Sequence, residues 1–137
     1  MIIFIDVSKK NQVLLKLIEI NGYREKLIES EFPDLLNCIS DFLIKEKINL
    51  NDLSGIAIKQ DYPTFTSARI ATVTANSLAF ALKIPVLGVD DKLACNCELL
   101  LKKIHKMKKN GIVKPQYNGE PNIRIKKARI SQIADHR

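Results

Sequence analysis

Tryptophan is absent from the chain, and aromatic residues fill only 6% of its 137 positions, too few for the stacking platforms that hold single-stranded nucleic acid. Cysteine is scarce as well. Cys38, Cys95 and Cys97 form neither a CxxC pair nor an even-numbered framework, so they read as reduced thiols. Only His105 and His136 could join them, and no zinc site or other metal or cofactor is expected. The opening residues MIIFID lack the basic stretch and long apolar core of a signal peptide, which points to the cytoplasm. GxSxG, HExxH and paired Cys/His patterns are all missing, which removes the usual signatures of nucleophilic and zinc hydrolysis.

Acidic residues are missing from one end. From Lys102 onward there are eleven Lys/Arg and two Asp/Glu, whereas the first 101 residues carry eleven basic and thirteen acidic. The net charge of +7 therefore belongs to the final segment. Attraction to a polyanion would act there and weaken with salt; a solvated tail that keeps the protein soluble is the other reading.

Charge is also missing from Thr64 to Leu82, where Arg69 stands alone. A surface helix ordinarily shows one apolar stripe and a charged opposite face. Here Ala68, Ala71, Ala75, Leu78 and Leu82 make one stripe, and Ile70, Val73, Ser77 and Ala81 make a second. One stripe can lie on the chain's own sheet; the other is expected to meet another protein, unless its own domain encloses the helix on both sides. Eight polar side chains between Thr64 and Ser77 leave no run of about 20 apolar residues to span a membrane.

Patterning supplies the remaining elements. Ile2 to Asp6 is a continuous apolar run fit for a central strand. Gln12 to Ile20 and Tyr23 to Glu31 read as a hairpin turning at Asn21-Gly22. Pro33 suits a first helical turn, after which Leu35, Leu36, Ile39, Phe42 and Leu43 share one face. Asn49 and Asp52 suit a capped turn before a strand at Ile56 to Lys59. After the low-charge helix, Pro85 opens a fifth strand, and Asp90 or Asp91 caps one helix running to about Met107, with Gly111 as its stop. The order β-β-β-α-β-α-β-α predicts an α/β mixed five-stranded sheet with helices packed on it, the ribonuclease-H-like half of the actin-like ATPase and sugar-kinase superfamily. Residues 1–110 are expected to form that lobe and residues 111–137 a basic, extended tail.

Asp6, Asp61 and Asp90 or Asp91 all fall at strand ends, where a nuclease or phosphotransferase of this fold would gather carboxylates around divalent metal. The turn Gln60 to Thr64 contains no glycine to cradle phosphate, Pro63 removes a donor and Asp61 opposes an anion. A divalent-metal enzyme is therefore the alternative reading.

These stretches resemble the TsaB family, also called YeaZ. Ile3-Phe4-Ile5-Asp6-Val7-Ser8 matches the family opening ILAIDTS, Thr64 to Ala71 takes the SFTGLRIG place of GPGSFTGLRIG, Ile84 to Val89 matches IPVxGV, and Asp52 to Ile58 is similar to DLDAIAV. The resemblance covers about residues 1–95. Asp61, Tyr62 and Pro63 replace the GPG of the motif, and Ser67 and Ala71 replace its later glycines. It implies a short form without most of the second lobe, acting as a non-catalytic subunit in making threonylcarbamoyladenosine on tRNA. The implied partners are a TsaD-like catalytic subunit, bound through the first two helices, and a TsaE-like ATPase that joins the pair. Self-association into a homodimer is expected in isolation. The expected interface is Leu36, Ile39, Leu43, Phe65, Ala68, Arg69, Thr72, Ala75, Asn76 and Ala79, so that Ala68→Asp or Ala75→Glu breaks the complex and spares the monomer. Contact with tRNA is indirect or runs through Lys108, Lys109, Lys126, Lys127 and Arg129.

Overall fold

The computed structural model describes residues 1–31, 33–107 and 112–113. β1 (Ile2–Asp6) sits at the centre of the sheet, because its side chains are apolar on both sides: Ile2, Ile3, Phe4 and Ile5 are all at most 2% exposed. β2 (Gln12–Glu19) and β3 (Gly22–Glu29) add antiparallel on one side of it, and β4 (Gly55–Lys59) and β5 (Val86–Val89) add parallel on the other. The strand order is β3-β2-β1-β4-β5. The mixed five-stranded sheet is the one expected.

Helices cover both faces. α1 (Leu35–Lys45) and α2 (Phe65–Leu82) pack with Ile3, Ile5, Leu15, Leu17, Ile56 and Ile58. On the opposite face Ile2, Phe4, Ile18, Ala57 and Val89 meet α4 (Cys97–His105) through Leu100, Leu101 and Ile104. The short α3 (Asp91–Ala94) precedes α4. Gly55 admits the close approach of α4 at the start of β4, since a Cβ there would stand 2.3 Å from Ile104 Cγ2.

Four local expectations shift. The hairpin turns at Ile20 and Asn21, and the positive φ (144°) falls on Gly22, the first residue of β3. Pro33 lies before the cap of α1: Asp34 is the N-cap, accepting from Asn37 N at 3.3 Å. Leu36 leaves the apolar face of α1 and is 54% exposed. The helix expected from Asp90 to Met107 is two, because Asn96 starts a second one by accepting from Leu99 N at 3.1 Å. It ends at His105, short of Gly111, which lies outside the described residues. The expected capped turn is a single 3-10 turn, Leu50–Asp52, in which the Asp52 carboxylate accepts from Asn49 N.

Candidate functional site

α2 begins at Thr64, whose hydroxyl accepts from Ser67 N at 3.0 Å, and ends where Lys83 turns left-handed at φ 57°. The hydroxyls of Thr72 and Thr74 donate back to the carbonyls of Ala68 and Ile70, so polar groups that interrupt the apolar run are satisfied within the helix. Its inner side is made of small residues: Ala68, Ala71, Thr72, Ala75 and Ala79 are all buried, next to Leu78 and Leu82. Its outer side carries Ile70, Val73, Ser77 and Ala81, all exposed, with Phe80 beside them. One stripe is thus sealed by the chain's own sheet and the other is open among the described residues.

That orientation corrects most of the expected interface. Ile39, Leu43, Ala68, Thr72, Ala75 and Ala79 are 0–3% exposed and belong to the core. Small side chains at 68, 71, 75 and 79 let α2 lie close on β4, while Ile70, Val73 and Phe80 point away. Asn76 is committed too: its carboxamide accepts from Val113 N at 2.9 Å and donates to Val113 O at 2.8 Å. Leu36, Phe65 and Arg69 remain exposed, with the Arg69 guanidinium over the Phe65 ring at 5.6 Å. Ile70, Val73 and Phe80 were absent from the expected set, although the spacing of Ile70 and Val73 had marked them as a second stripe.

A groove of about 560 Å³ opens where the first turns of α1 and α2 meet the β1–β2 connection. Val7, Val13, Leu35 and Ile70 supply apolar wall, and Lys9 and Lys10 stand at the connection. In the turn before α2, Tyr62 is 3% exposed and its hydroxyl has no hydrogen-bond partner of good geometry among the described residues. Burial pushes the phenol pKa up, and the neighbouring Thr72 hydroxyl, whose own proton goes to Ala68 O, opposes the shift more weakly.

The strand-end carboxylates converge on a lysine. Lys59 Nζ lies 2.8 Å from Asp91 Oδ1 and 3.8 Å from Asp6 Oδ2, and Asp6 also accepts from Ser8 N at 2.8 Å. The Asp91 hydrogen bond, with the charges of Asp6, Asp91 and Asp61, raises the Lys59 pKa against the opposing effect of burial. Asp90 instead caps α3, accepting from Leu93 N. Among the described residues no three His, Cys, Asp or Glu side chains are grouped to hold a metal ion. All three cysteines are free, and the Cys38 thiol is raised by burial and then by Asp34 and Asp41. No helix among the described residues is long and apolar enough to cross a membrane. Lys108, Lys109, Lys126, Lys127 and Arg129 lie outside the described residues, as does the tail except Ile112 and Val113.

No family model matches the chain. A curated relative, the tRNA threonylcarbamoyladenosine biosynthesis protein TsaB of Buchnera aphidicola subsp. Schizaphis graminum (strain Sg), is 35% identical over 80 residues, covering 58% of this chain and 35% of its own. Two solved structures from Pseudomonas aeruginosa share the fold at 27% identity over 66% of this chain. YeaZ superposes with a TM-score of 0.59 over 44% of its length. A protein described as uncharacterized, with similarity to peptidase YeaZ, superposes with 0.58 over 43%. The chain thus spans between about a third and under half of the length of the relatives it matches, and the fold is the ribonuclease-H-like α/β arrangement expected. The stretches Ile3–Ser8, Thr64–Ala71 and Ile84–Val89 fall at β1, the start of α2 and β5, and by sequence and fold the chain is similar to members of the TsaB (YeaZ) family.

Proposed function

We propose that this chain acts in the cytoplasm as a non-catalytic scaffold in the synthesis of threonylcarbamoyladenosine on tRNA, binding and stabilising a TsaD-like catalytic subunit. The observation that carries the reading is the open side of the α1/α2 layer. Leu36, Ile70 and Val73 are 54%, 54% and 62% exposed on neighbouring helices whose inner sides are already closed. Exposed apolar side chains on two packed helices suit a protein contact, and a stable interface covers about 800 Å² on each partner. The interface is therefore Leu36, Phe65, Arg69, Ile70 and Val73, with the groove at its edge. A TsaE-like ATPase would join the assembled pair, and the surface would support a homodimer when the partner is missing.

The non-catalytic part of the reading is supported by Lys59, whose ammonium lies between Asp6 and Asp91 where a metal enzyme of this fold would gather carboxylates around a cation. Support also comes from the glycine-free turn before α2. The excess of Lys and Arg from Lys102 onward favours a tRNA contact through Lys108, Lys109, Lys126, Lys127 and Arg129, beside the scaffold role. The division into a lobe at 1–110 and a basic tail at 111–137 belongs to the same proposal.

Co-expression with a tagged TsaD-like subunit tests the interface. The parent chain is expected to co-purify and to restore threonylcarbamoyladenosine to tRNA in a reconstituted reaction, and Leu36→Asp with Ile70→Asp to do neither while melting like the parent. Undiminished co-purification of that variant overturns the interface. Magnesium-dependent phosphodiester cleavage or ATP turnover by the purified chain, lost in Asp6→Asn, would favour the metal enzyme instead.

A further inference from the structure

Between α3 and α4 two thiols stand on either side of Asn96, whose backbone (φ −121°, ψ 86°) is the non-helical step that separates the two helices. Cys95 is exposed and is the C-cap of α3, its N–H donating to Asp91 O at 3.2 Å. Cys97 is the first residue of α4, half-buried and packed against the cluster that holds Leu100, Leu101 and Ile104. Asn96 secures the joint: its carboxamide accepts from Leu99 N at 3.1 Å, its backbone carbonyl accepts from Leu100 N at 3.0 Å, and its N–H donates to Leu93 O at 3.1 Å. One thiol is thus open to a reagent in solution, and the other is tied to the apolar layer under α4.

A single intervening residue keeps the two thiols within reach of each other. Two residues of extended chain span at most about 7 Å between Cα atoms, and a disulfide holds them roughly 5.5–6 Å apart. Closure therefore folds Asn96 inward and disturbs the dihedrals that aim its carboxamide at Leu99. A bridge that must bend its own hinge is strained, and strained, exposed disulfides are the labile ones that small thiols reduce again. Cys38 is on α1 and packs with the cluster on the opposite face, so the sheet separates it from both.

We propose that Cys95 and Cys97 are a reversible dithiol site that exchanges with low-molecular-weight disulfides of the glutathione class and loosens the start of α4 when oxidised. The Cys95 thiolate attacks one sulfur of glutathione disulfide, forming a mixed disulfide and expelling one glutathione thiolate. The Cys97 thiolate then attacks Cys95 Sγ and expels the second. The protons that left the two cysteines pass to the two glutathione thiolates, and the electron pair lost by the cysteines reduces the glutathione disulfide. The internal bridge draws Cys97 from its packing beside Leu100 and turns Asn96 away from Leu99, so the first turn of α4 loses its cap. α1 and α2 lie on the other face of the sheet, and this chemistry stands apart from the scaffold reading.

The test is to incubate the full chain with glutathione disulfide, quench it in acid, unfold it, alkylate it and weigh it. The expected product carries one alkylated cysteine, Cys38, where the reduced chain carries three, and dithiothreitol returns it to the reduced form. Cys97→Ser should stop at a glutathione adduct on Cys95, and Cys95→Ser should react more slowly than the parent. In the bridged chain, amide exchange at Leu99 and Leu100 is expected to quicken about fivefold, the factor that loss of one N-cap implies. A parent chain that keeps every thiol, or that ends as the glutathione adduct, overturns the proposal. So does a bridge that involves Cys38 or a second chain. Unchanged exchange at Leu99 and Leu100 in the bridged chain overturns the coupling to α4, and the proposal with it.

Discussion

At Ala68 and Ala75, both fully buried against the sheet, a carboxylate has no cation to meet. Ala68→Asp or Ala75→Glu is therefore expected to unfold the monomer, since the penalty for an unpaired buried charge is several kcal/mol; disappearance of the melting transition is the measurement. Tyr62 works the other way. Its enclosed hydroxyl lacks a well-aligned partner among the described residues, a situation that costs about 1–3 kcal/mol, so Tyr62→Phe should leave stability unchanged or raise it, read as the urea midpoint at constant slope. Lys59 gives a pH dependence. Its folded pKa lies above its ordinary value of 10.5, so its contribution is complete below that pH and disappears as pH rises through the folded value. Urea midpoints of the parent and Lys59→Met should differ at neutral pH and converge above about pH 10.5. The Asp91 side is 77% exposed, and that arm is worth about 0.2–1 kcal/mol at most.

α2 shows how far periodicity carries an element. Two stripes were legible because residues at i+3 and i+4 share a face, and the run of Ala at 68, 71, 75 and 79 was visible in the sequence. Their direction was not. Small side chains permit close approach to a sheet as well as to another helix, and here the sheet takes them. The helix before β4 kept its apolar face except for Leu36, one position off the stripe that closes on β2. The split between α3 and α4 was hidden for a similar reason: Leu93, Ala94, Cys97, Leu100 and Leu101 sustain a helical period across Asn96, which breaks the rod by capping. Asn96→Ala is expected to cost about 1 kcal/mol, measured by urea unfolding. The Asn76 grip on Val113 joins positions 37 apart, and a local pattern cannot announce such a pairing.

For the whole molecule, the two apolar clusters on either face of one five-stranded sheet were implied by the strand and helix order, most directly by the four apolar side chains of β1. The charge imbalance predicts a separate behaviour of the basic end. Changing Lys126, Lys127 and Arg129 to Glu is expected to weaken tRNA binding and flatten its salt dependence, the log–log slope falling by roughly 0.7–0.9 for each phosphate no longer neutralised, without shifting the melting temperature. An unchanged slope in filter binding would remove tRNA binding from that segment. The sealed phenol of Tyr62 also makes the molecule its own clock. After a jump to strongly alkaline solution, the phenol of Tyr62 should ionise only once α2 lifts off the sheet. The lagging rise in ultraviolet absorbance then times how often the inner layer breathes open, and Tyr62→Phe should erase it.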